Sequence, residues 1–486
     1  MEDKYIASID LGTSKFGLCV ARVNGDDVQI VYYRETPSEG IRASLITNPM
    51  KAAQRLKEAI RQAEDELMIR ILQVVVGMPR SEVEQVTASA RIERTNSDDY
   101  ITDEEVQSLK SIALETYPLP NPEKQIMYGA VAQSFSIDDE IQLVENEVVG
   151  TLSKEMEGNF KVFIGNRRAT TALDKIFNSL EIAMAKKYFL PDVVARAVLT
   201  SEEMNSGVAL VDFGAGVTSL SVYQGGIMRY YASIPFGGKA ITGDIRTECS
   251  ISEDLAEKIK KRFGACLPGK LATLSEKVLQ IRLTEPFKEV PVRYISEIID
   301  SRCREIIEAI LYYLQESGLQ NAIRGGVVVT GGSAELTNFI TLFKEMSGYD
   351  VRKGYPRYMF SASVGSGVYS TGATAAIGMV LAAKDDHLPD CVSAPVKIDV
   401  AEDDTVEVEV TDETPAVNNI SDEELAKGET GNLLNPEEFG EAVEKKKEPK
   451  KQKVKVPKEK RLNFINIAWK TVKGAALDIY DKANEE

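Results

Sequence analysis

Two short stretches of this sequence place chemistry-bearing residues in the same order. Ile9-Asp10-Leu11-Gly12-Thr13-Ser14 and Val211-Asp212-Phe213-Gly214-Ala215-Gly216-Val217-Thr218 each end an apolar run in an aspartate, pass through small residues and begin a second apolar run. Glycine leaves no Cβ to obstruct a ligand, so successive backbone N–H groups there can converge on an anion such as a phosphate. The aspartate at the strand end then stands where a carboxylate can hold hydrated Mg2+ or orient water, and Mg2+ favours sites shared between carboxylates and substrate phosphates. Taken singly, either stretch is equally an ordinary hairpin with Asp-x-Gly turn chemistry. Written twice, at the head of each half of the chain, facing hairpins can clamp a polyphosphate between two lobes. Lys15 either touches a phosphate or faces solvent from its strand. A third glycine site, Thr330-Gly331-Gly332-Ser333, reads as a plain strand-to-helix turn or as backbone open to a flat base or ribose, with Ser333 at a natural helix cap.

The elements that position these residues follow from periodicity. A chain of 486 residues exceeds a single ordinary core, so two or more lobes are expected. Ala52, Leu56, Ala59, Ile60, Ala63 and Leu67 fall at helical spacing, and the continuous apolar run 72–79 reads as a buried strand. From 80 to 165 the texture changes to alternating stretches, a capping box at Thr102 and Glu105, and the Pro-rich "YPLPNPEK", which suggests a module spliced into the first lobe. "TTALDKIFNSLEIAMAK" then reads as a helix. The first-lobe core is thus expected at 1–79 and 166–206, the inserted module at 80–165, the second-lobe core at 207–242 and 323–388, and a mostly helical subdomain at 243–322. The expected class is α/β and two-lobed.

Charge separates the tail from this body. The chain carries a net charge of −17, of which residues 399–444 hold 16 acidic groups and one Lys, while 445–461 hold 10 basic groups and two acidic ones. A mildly acidic body gives no electrostatic reason to expect nucleic-acid binding. Residues 389–461 read as a flexible linker, acidic and then basic. In 462–486, Ile465, Ala468, Trp469, Val472, Ala476 and Ile479 share one helical stripe flanked by Phe464, with Lys470 and Lys473 off it. This pattern suits a helix lying in an anionic membrane interface, although docking on the protein's own body or on a partner would use the same stripe. The preceding basic run favours lipid, at about 1 kcal/mol per juxtamembrane basic residue before screening.

Other classes are disfavoured. The five cysteines are scattered with no C-x-x-C pair, which argues against a disulfide framework or a zinc knuckle. A single histidine, His387, disfavours His-based triads and multi-His metal sites. The start "MEDKYIASIDLG" lacks the regions of a secretory signal. The most apolar run, 370–383, is shorter than the roughly 20 residues that span a bilayer.

Two phosphate-type hairpins followed by a Gly-Gly turn, in this order, resemble the superfamily of actin, heat-shock-chaperone and sugar-kinase ATPases. "LAEKIKKRFG" resembles the helix with which bacterial actins contact the purine, which implies Glu257, Lys258 and Lys261 as nucleotide contacts, although a charged amphipathic helix reads the same way. The sequence reads as lacking the acceptor-site aspartate expected of a sugar kinase and the peptide-binding domain expected of a chaperone, and as continuing into a linker and amphipathic tail. That combination, with "IPFGGKAITGDI", "ISEDLAEKIKKRFGACLPG" and "ISEIIDSRCREI", resembles the FtsA family of bacterial cell-division proteins. The resemblance implies an actin-like core with an inserted 1C-type subdomain in the first lobe and the usual subdomain of one small lobe missing. It further implies ATP and Mg2+, with Asp10 and Asp212 on the metal and water side. Gly12, Thr13, Ser14, Lys15, Gly214, Ala215, Gly216, Thr218, Gly331, Gly332 and Ser333 would lie around the nucleotide. The implied role is to form actin-like filaments and to tether FtsZ through its C-terminal peptide, at Arg302, to the cytoplasmic face of the membrane at the septum, among other divisome proteins. The water-orienting residue of that superfamily has no firm counterpart here, Asp192 and Glu202 being candidates that spacing places poorly, so slow hydrolysis is expected. A chaperone- or kinase-like ATPase with a partner-docking tail is the alternative.

Overall fold

The computed structural model describes residues 3–94, 98–138, 141–271, 277–281, 288–357, 359–362 and 365–393. The tail expectations, from Phe464 to Ile479 and most of the linker, lie outside the described residues.

Two sheets repeat one strand order. In the first lobe Lys4–Leu11, Lys15–Asn24 and Asp27–Pro37 form an antiparallel meander. Gln73–Gly77 lies parallel to Lys4–Leu11 on its other side, Ala183–Tyr188 lies beyond it, and the short strand Ser361–Ala362 joins the far edge. In the second lobe Val208–Phe213, Thr218–Gln224 and Ile227–Ile234 form the meander, with Val327–Thr330 and then Val351–Lys353 parallel on the other side. Asp10 and Asp212 are both the penultimate residue of a lobe's first strand, opposite Gly17 and Ser219 respectively. The repeated turn is therefore the visible part of a repeated sheet.

These strands read as continuous apolar runs because both faces are covered. Ile6, Cys19 and Val75 of the first sheet and Val208, Leu210 and Val328 of the second share one core with the helices Leu190–Val198 and Thr374–Asp385. Those two helices cross closely at Gly378, where a Cβ would meet the Val193 carbonyl oxygen at 2.2 Å. On the outer face of the first sheet, Ala7, Ile9, Val74 and Val76 pack under the helices Pro49–Leu67 and Arg167–Leu180. Asn48 starts the former by accepting from the Lys51 N–H at 3.0 Å, with Pro49 at its first position. On the outer face of the second sheet, Ala209, Val211, Val327 and Val329 pack under the helices Gly238–Cys249, Glu253–Phe263, Val292–Glu316 and Phe339–Ser347. Two like sheets on either side of a central helix pair form the actin-like, two-lobed α/β fold.

Between the strands Gln73–Gly77 and Ala183–Tyr188 the chain builds a separate layer. Its four strands, in the order Ile141–Leu143, Gln125–Ile137, Glu155–Asn166 and Glu84–Glu93, carry the helix Asp103–Thr116 over a core containing Leu109, Phe135 and Phe160. Thr102 caps that helix and Glu105 returns the bond to the Thr102 N–H, completing the capping box.

Four local expectations are corrected. The helix through Thr170 ends at Leu180, and 183–186, expected as its continuation, belong to the strand Ala183–Tyr188, because pairing with Gln73–Gly77 outweighs the helix propensity of Ala, Met and Lys. The boundary at 242/243 falls inside the helix Gly238–Cys249, since capping and packing, not composition, set its ends. Within 243–322 the helices Glu253–Phe263 and Val292–Glu316 flank a hairpin, Val278–Ile281 with Lys288–Pro291, which leaves the mostly helical reading in place. Ser333 caps no α-helix: Gly332–Glu335 is a 3-10 turn and the helix starts only at Phe339. Residues 389–393, assigned to the linker, are packed: Cys391 is buried, its carbonyl accepts from the Leu72 and Gln73 N–H groups, and Val392–Ser393 pairs with Arg70–Ile71.

Candidate functional site

The two hairpin turns face each other across a cavity of about 420 Å³, a volume usual for small-ligand sites. The first lobe lines it with Asp10, Gly12, Thr13, Ser14 and Lys15, and the second with Asp212, Gly214, Ala215 and Gly216. Gly331, Gly332 and Ser333 form another wall, and Glu257 and Lys261 reach it from the helix Glu253–Phe263. The turns touch directly. A Cβ on Gly216 would stand 2.4 Å from Thr13 Oγ1 and 2.9 Å from Ala43 Cα, so only glycine permits this approach between lobes.

Two expected nucleotide contacts lie elsewhere, and a third is already engaged. Thr218 is buried beneath its turn, where its hydroxyl donates to the Phe236 carbonyl at 2.8 Å, because a strand side chain opposite Phe213 points into the sheet's neighbour and not the cleft. Lys258 does not line the cavity; the helix turns Lys260 and Lys261 toward it while Leu255, Ala256 and Ile259 face the core. Ser333 does line it, but its hydroxyl donates to the Gly214 carbonyl at 3.0 Å and ties two walls together. Asp192 pairs with Arg196 at 3.2 Å, Glu202 is exposed at the start of the helix Ser201–Ser206, and neither lines the cavity. Arg302 also lies away from it, on the helix Val292–Glu316, gripping Asp244 at 2.7 and 2.9 Å and Glu305 at 2.6 Å.

Other lining residues escaped the sequence reading. Arg80 follows the strand Gln73–Gly77 by three residues and places its guanidinium between the hairpin aspartates, bonded to Asp212 and 4.0 Å from Asp10. Burial pushes the Asp10 carboxyl above the ordinary carboxylate range, with Arg80 and Lys15 pulling the other way. Glu35 neutralises Lys15 and accepts from the Tyr33 hydroxyl at 2.8 Å. Lys260 donates to the Gly238 carbonyl and Thr242 Oγ1, both at 2.8 Å, and pairs with Glu257 at 2.7 Å. Burial alone would raise the Glu257 carboxyl, and Lys260 and Thr242 hold it below its usual value. At the other side, Thr374 and Ala375 open the helix Thr374–Asp385 onto the cavity without a side-chain cap, and an uncapped helix start presents N–H groups that suit an anion. The signals were present in sequence as an Arg after an apolar strand and a helix start without Ser, Asp or Asn at its cap, but both patterns are common.

The donor set fits a nucleotide with a hydrated dication. Three glycine turns, Lys15, Lys261 and an uncapped helix start surround the space, and among the described residues the lining carboxylates are Asp10, Asp212, the lysine-bound Glu35, Glu257 and Glu335. Among the described residues no group of three or more His, Cys, Asp and Glu could hold a metal alone, so a cation there would depend on water and phosphate oxygens, as Mg2+ does. All five cysteines are free and buried, and among the described residues no helix is long and apolar enough to cross a membrane.

The family model described as "Cell division protein FtsA" matches residues 209–377. Proteins named cell division protein FtsA are similar over most of the chain. The one from Neisseria meningitidis serogroup B is 29% identical over 388 residues, 79% of this chain and 91% of that protein. The one from Borreliella burgdorferi is 29% identical over 78% of this chain and 91% of that protein, and the one from Bacillus subtilis is 24% identical over 74% and 80%. Among solved structures, a chain of the PilM-PilN type IV pilus biogenesis complex shares the fold with a TM-score of 0.55 at 15% identity, covering 78% of this chain and 98% of that one.

Proposed function

Because the chain belongs to the FtsA family of cell-division proteins, we propose that it is an ATP-binding filament former that tethers FtsZ to the cytoplasmic face of the membrane at the division septum. The observation that carries the nucleotide part is the pair of Asp-Gly hairpins, one per lobe, meeting at Gly216 and Thr13 over one cavity. The N–H groups of Gly12 to Lys15 and of Ala215 and Gly216 would hold the phosphates from opposite lobes, aided by Lys15 and the start of the helix Thr374–Asp385, while the Gly214 N–H closes its own turn on the Val217 carbonyl. Gly331, Gly332 and Ser333, with Glu257 and Lys261, would flank the nucleoside. When bound, Mg2+ would supply charge neutralisation between the phosphates and Asp10 and Asp212.

A ligand gripped by both lobes stabilises the closed arrangement in proportion to its preference for it. Such a clamp stiffens the monomer for polymerisation without needing fast chemistry. Asp192 and Glu202 stand outside the cavity, so neither is placed to orient an attacking water, which supports slow turnover. The membrane part rests on the amphipathic stripe of 462–486 and the basic run before it.

Electron microscopy of the full-length protein with Mg2+ and ATP on an anionic lipid monolayer tests the reading. Filaments are expected with the whole chain and not with Asp212→Ala or a deletion of 462–486, while the deletion retains nucleotide binding. Tight binding of the deleted protein to anionic liposomes would sink the tether.

A further inference from the structure

Arg80 belongs to neither hairpin, yet it is the cation that both hairpin aspartates share. Its side chain is largely buried, bonded to Asp212 of the second lobe and 4.0 Å from Asp10 of the first. A hydrated dication serving the same two carboxylates would need the space and the negative charge that Arg80 now takes. Two carboxylates against one guanidinium leave a net negative charge, so a dication arriving with phosphates competes directly with the arginine.

The backbone of Arg80 is held by both lobes. Its N–H donates to Ser44 Oγ at 3.1 Å, and its carbonyl accepts from the Tyr231 hydroxyl at 2.7 Å. The Tyr231 N–H donates in turn to the Gln85 side chain at 3.1 Å, in the first strand of the inserted layer. The link between Arg80 and that strand is under visible strain. Ser81 is 5% exposed, and among the described residues its hydroxyl has no hydrogen-bond partner. Glu82 adopts φ +58, a left-handed backbone that a non-glycine residue seldom takes, and its carboxylate accepts from Asn166 at 3.3 Å, where the layer's last strand ends. A buried unpaired hydroxyl and a left-handed residue in succession are costs that one arrangement of this junction carries and another would relieve.

We propose that Arg80 is a displaceable counter-ion: without Mg2+-nucleotide it neutralises Asp10 and Asp212, and Mg2+-nucleotide takes those carboxylates, frees Arg80 and lets the inserted layer turn about the Arg80–Glu82 junction. This rests on the nucleotide reading of the cleft and adds to it a route from the cleft to the inserted layer. Binding at the carboxylates and a shift at the junction are then two faces of one equilibrium, so each favours the other by the same factor.

The test measures binding of a fluorescent ATP analogue to the full chain as free Mg2+ is raised, together with backbone hydrogen exchange over residues 84–93 and 155–166. Arg80→Ala removes the competitor, so the Mg2+ concentration for half-maximal binding should fall by about fivefold or more, the lower bound of ordinary coupling. Its nucleotide-free exchange pattern should match that of the wild type with Mg2+-nucleotide. An unchanged or higher Mg2+ midpoint overturns the proposal. Arg80→Lys, which keeps a cation without the planar fork, supplies the same reading if the alanine variant does not fold: a lower midpoint supports the competition and an equal one refutes it. Tyr231→Phe leaves the Arg80 side chain in place but unties its carbonyl. It should shrink the nucleotide-induced exchange change over 84–93, and a full-sized change refutes the route to the inserted layer. Failure of the wild type to bind nucleotide at any Mg2+ concentration removes the cleft reading itself. Binding by the wild type with an unaltered Arg80→Ala midpoint removes only this inference.

Discussion

Replacing Gly216 by alanine adds one methyl group where the two lobes touch, and the consequence can be worked from distances. The new Cβ would stand 2.4 Å from Thr13 Oγ1, whereas ordinary contact begins at 3.4 Å, so the opposing surfaces must part by about 1 Å. Ala43 Cα at 2.9 Å blocks the neighbouring direction, and that atom is backbone and cannot swing aside. Overpacking of this kind costs about 1–3 kcal/mol. Inside one lobe that cost would appear as lost stability. Between lobes it is relieved when the cleft opens, so it falls on the closed, ligand-holding arrangement. If all of it does so, nucleotide affinity drops by about 5- to 150-fold, since about 1.4 kcal/mol is tenfold. Titration with a fluorescent ATP analogue measures the affinity, and thermal unfolding without nucleotide measures the cost to the open protein. Affinity within twofold of wild type would refute the clamp, and equal loss of stability with no loss of affinity would make Gly216 a packing residue only.

Gly243 sits inside the helix Gly238–Cys249, and no neighbouring atom lies within 4 Å of where an alanine Cβ would stand. Gly243→Ala should therefore raise stability by about 0.5–1 kcal/mol in denaturant unfolding without altering nucleotide affinity; no gain would contradict the open space. Arg302→Glu should weaken binding of an FtsZ C-terminal peptide about tenfold or more and leave nucleotide affinity alone. Since Arg302 also grips Asp244, Asp244→Asn serves as the control that disturbs the pair but keeps the guanidinium, and equal losses from both variants would assign the effect to local structure. For Glu203, burial raises the carboxyl, but hydrogen bonds from Arg352, both at 2.8 Å, and from the Thr200 N–H hold it below its usual value. The unfolded chain therefore takes up the proton first, at about pH 4.3, so this stabilisation is complete above that pH and is lost as pH falls through the lower folded value. Urea unfolding should show a stability gap between wild type and Glu203→Gln at pH 7 that narrows on acidification; a constant gap would place the interaction elsewhere.

How much of the molecule could be read in advance depended on the range of the interaction concerned. Asp10 and Asp212 announced themselves because strand, aspartate and glycine turn are local and are written contiguously, and the capping box at Thr102 was legible for the same reason. Arg80 was not, because its role comes from two carboxylates far from it in sequence, brought together only when both lobes fold. Residues 183–186 of the strand Ala183–Tyr188 read as helix in sequence since Ala, Met and Lys favour one, and only pairing with Gln73–Gly77 decides otherwise. Lys258 and Lys260 differ by two positions on one helix, and which of them turns to the cavity is set by which face Leu255, Ala256 and Ile259 bury.

By itself the amino-acid sequence determined the repeated hairpins, the two-lobed α/β class, the inserted segment and the charge pattern of the tail, all of which are carried by periodicity, turn chemistry and composition within short windows. The tertiary structure alone decided that the hairpins meet at Gly216 and Thr13, that Arg80 bridges their aspartates, and that Thr218 and Lys258 stay out of the cleft. The physical reason is that a side chain's neighbours across a lobe boundary depend on how whole sheets and helices pack, and no local pattern of residues encodes that distance.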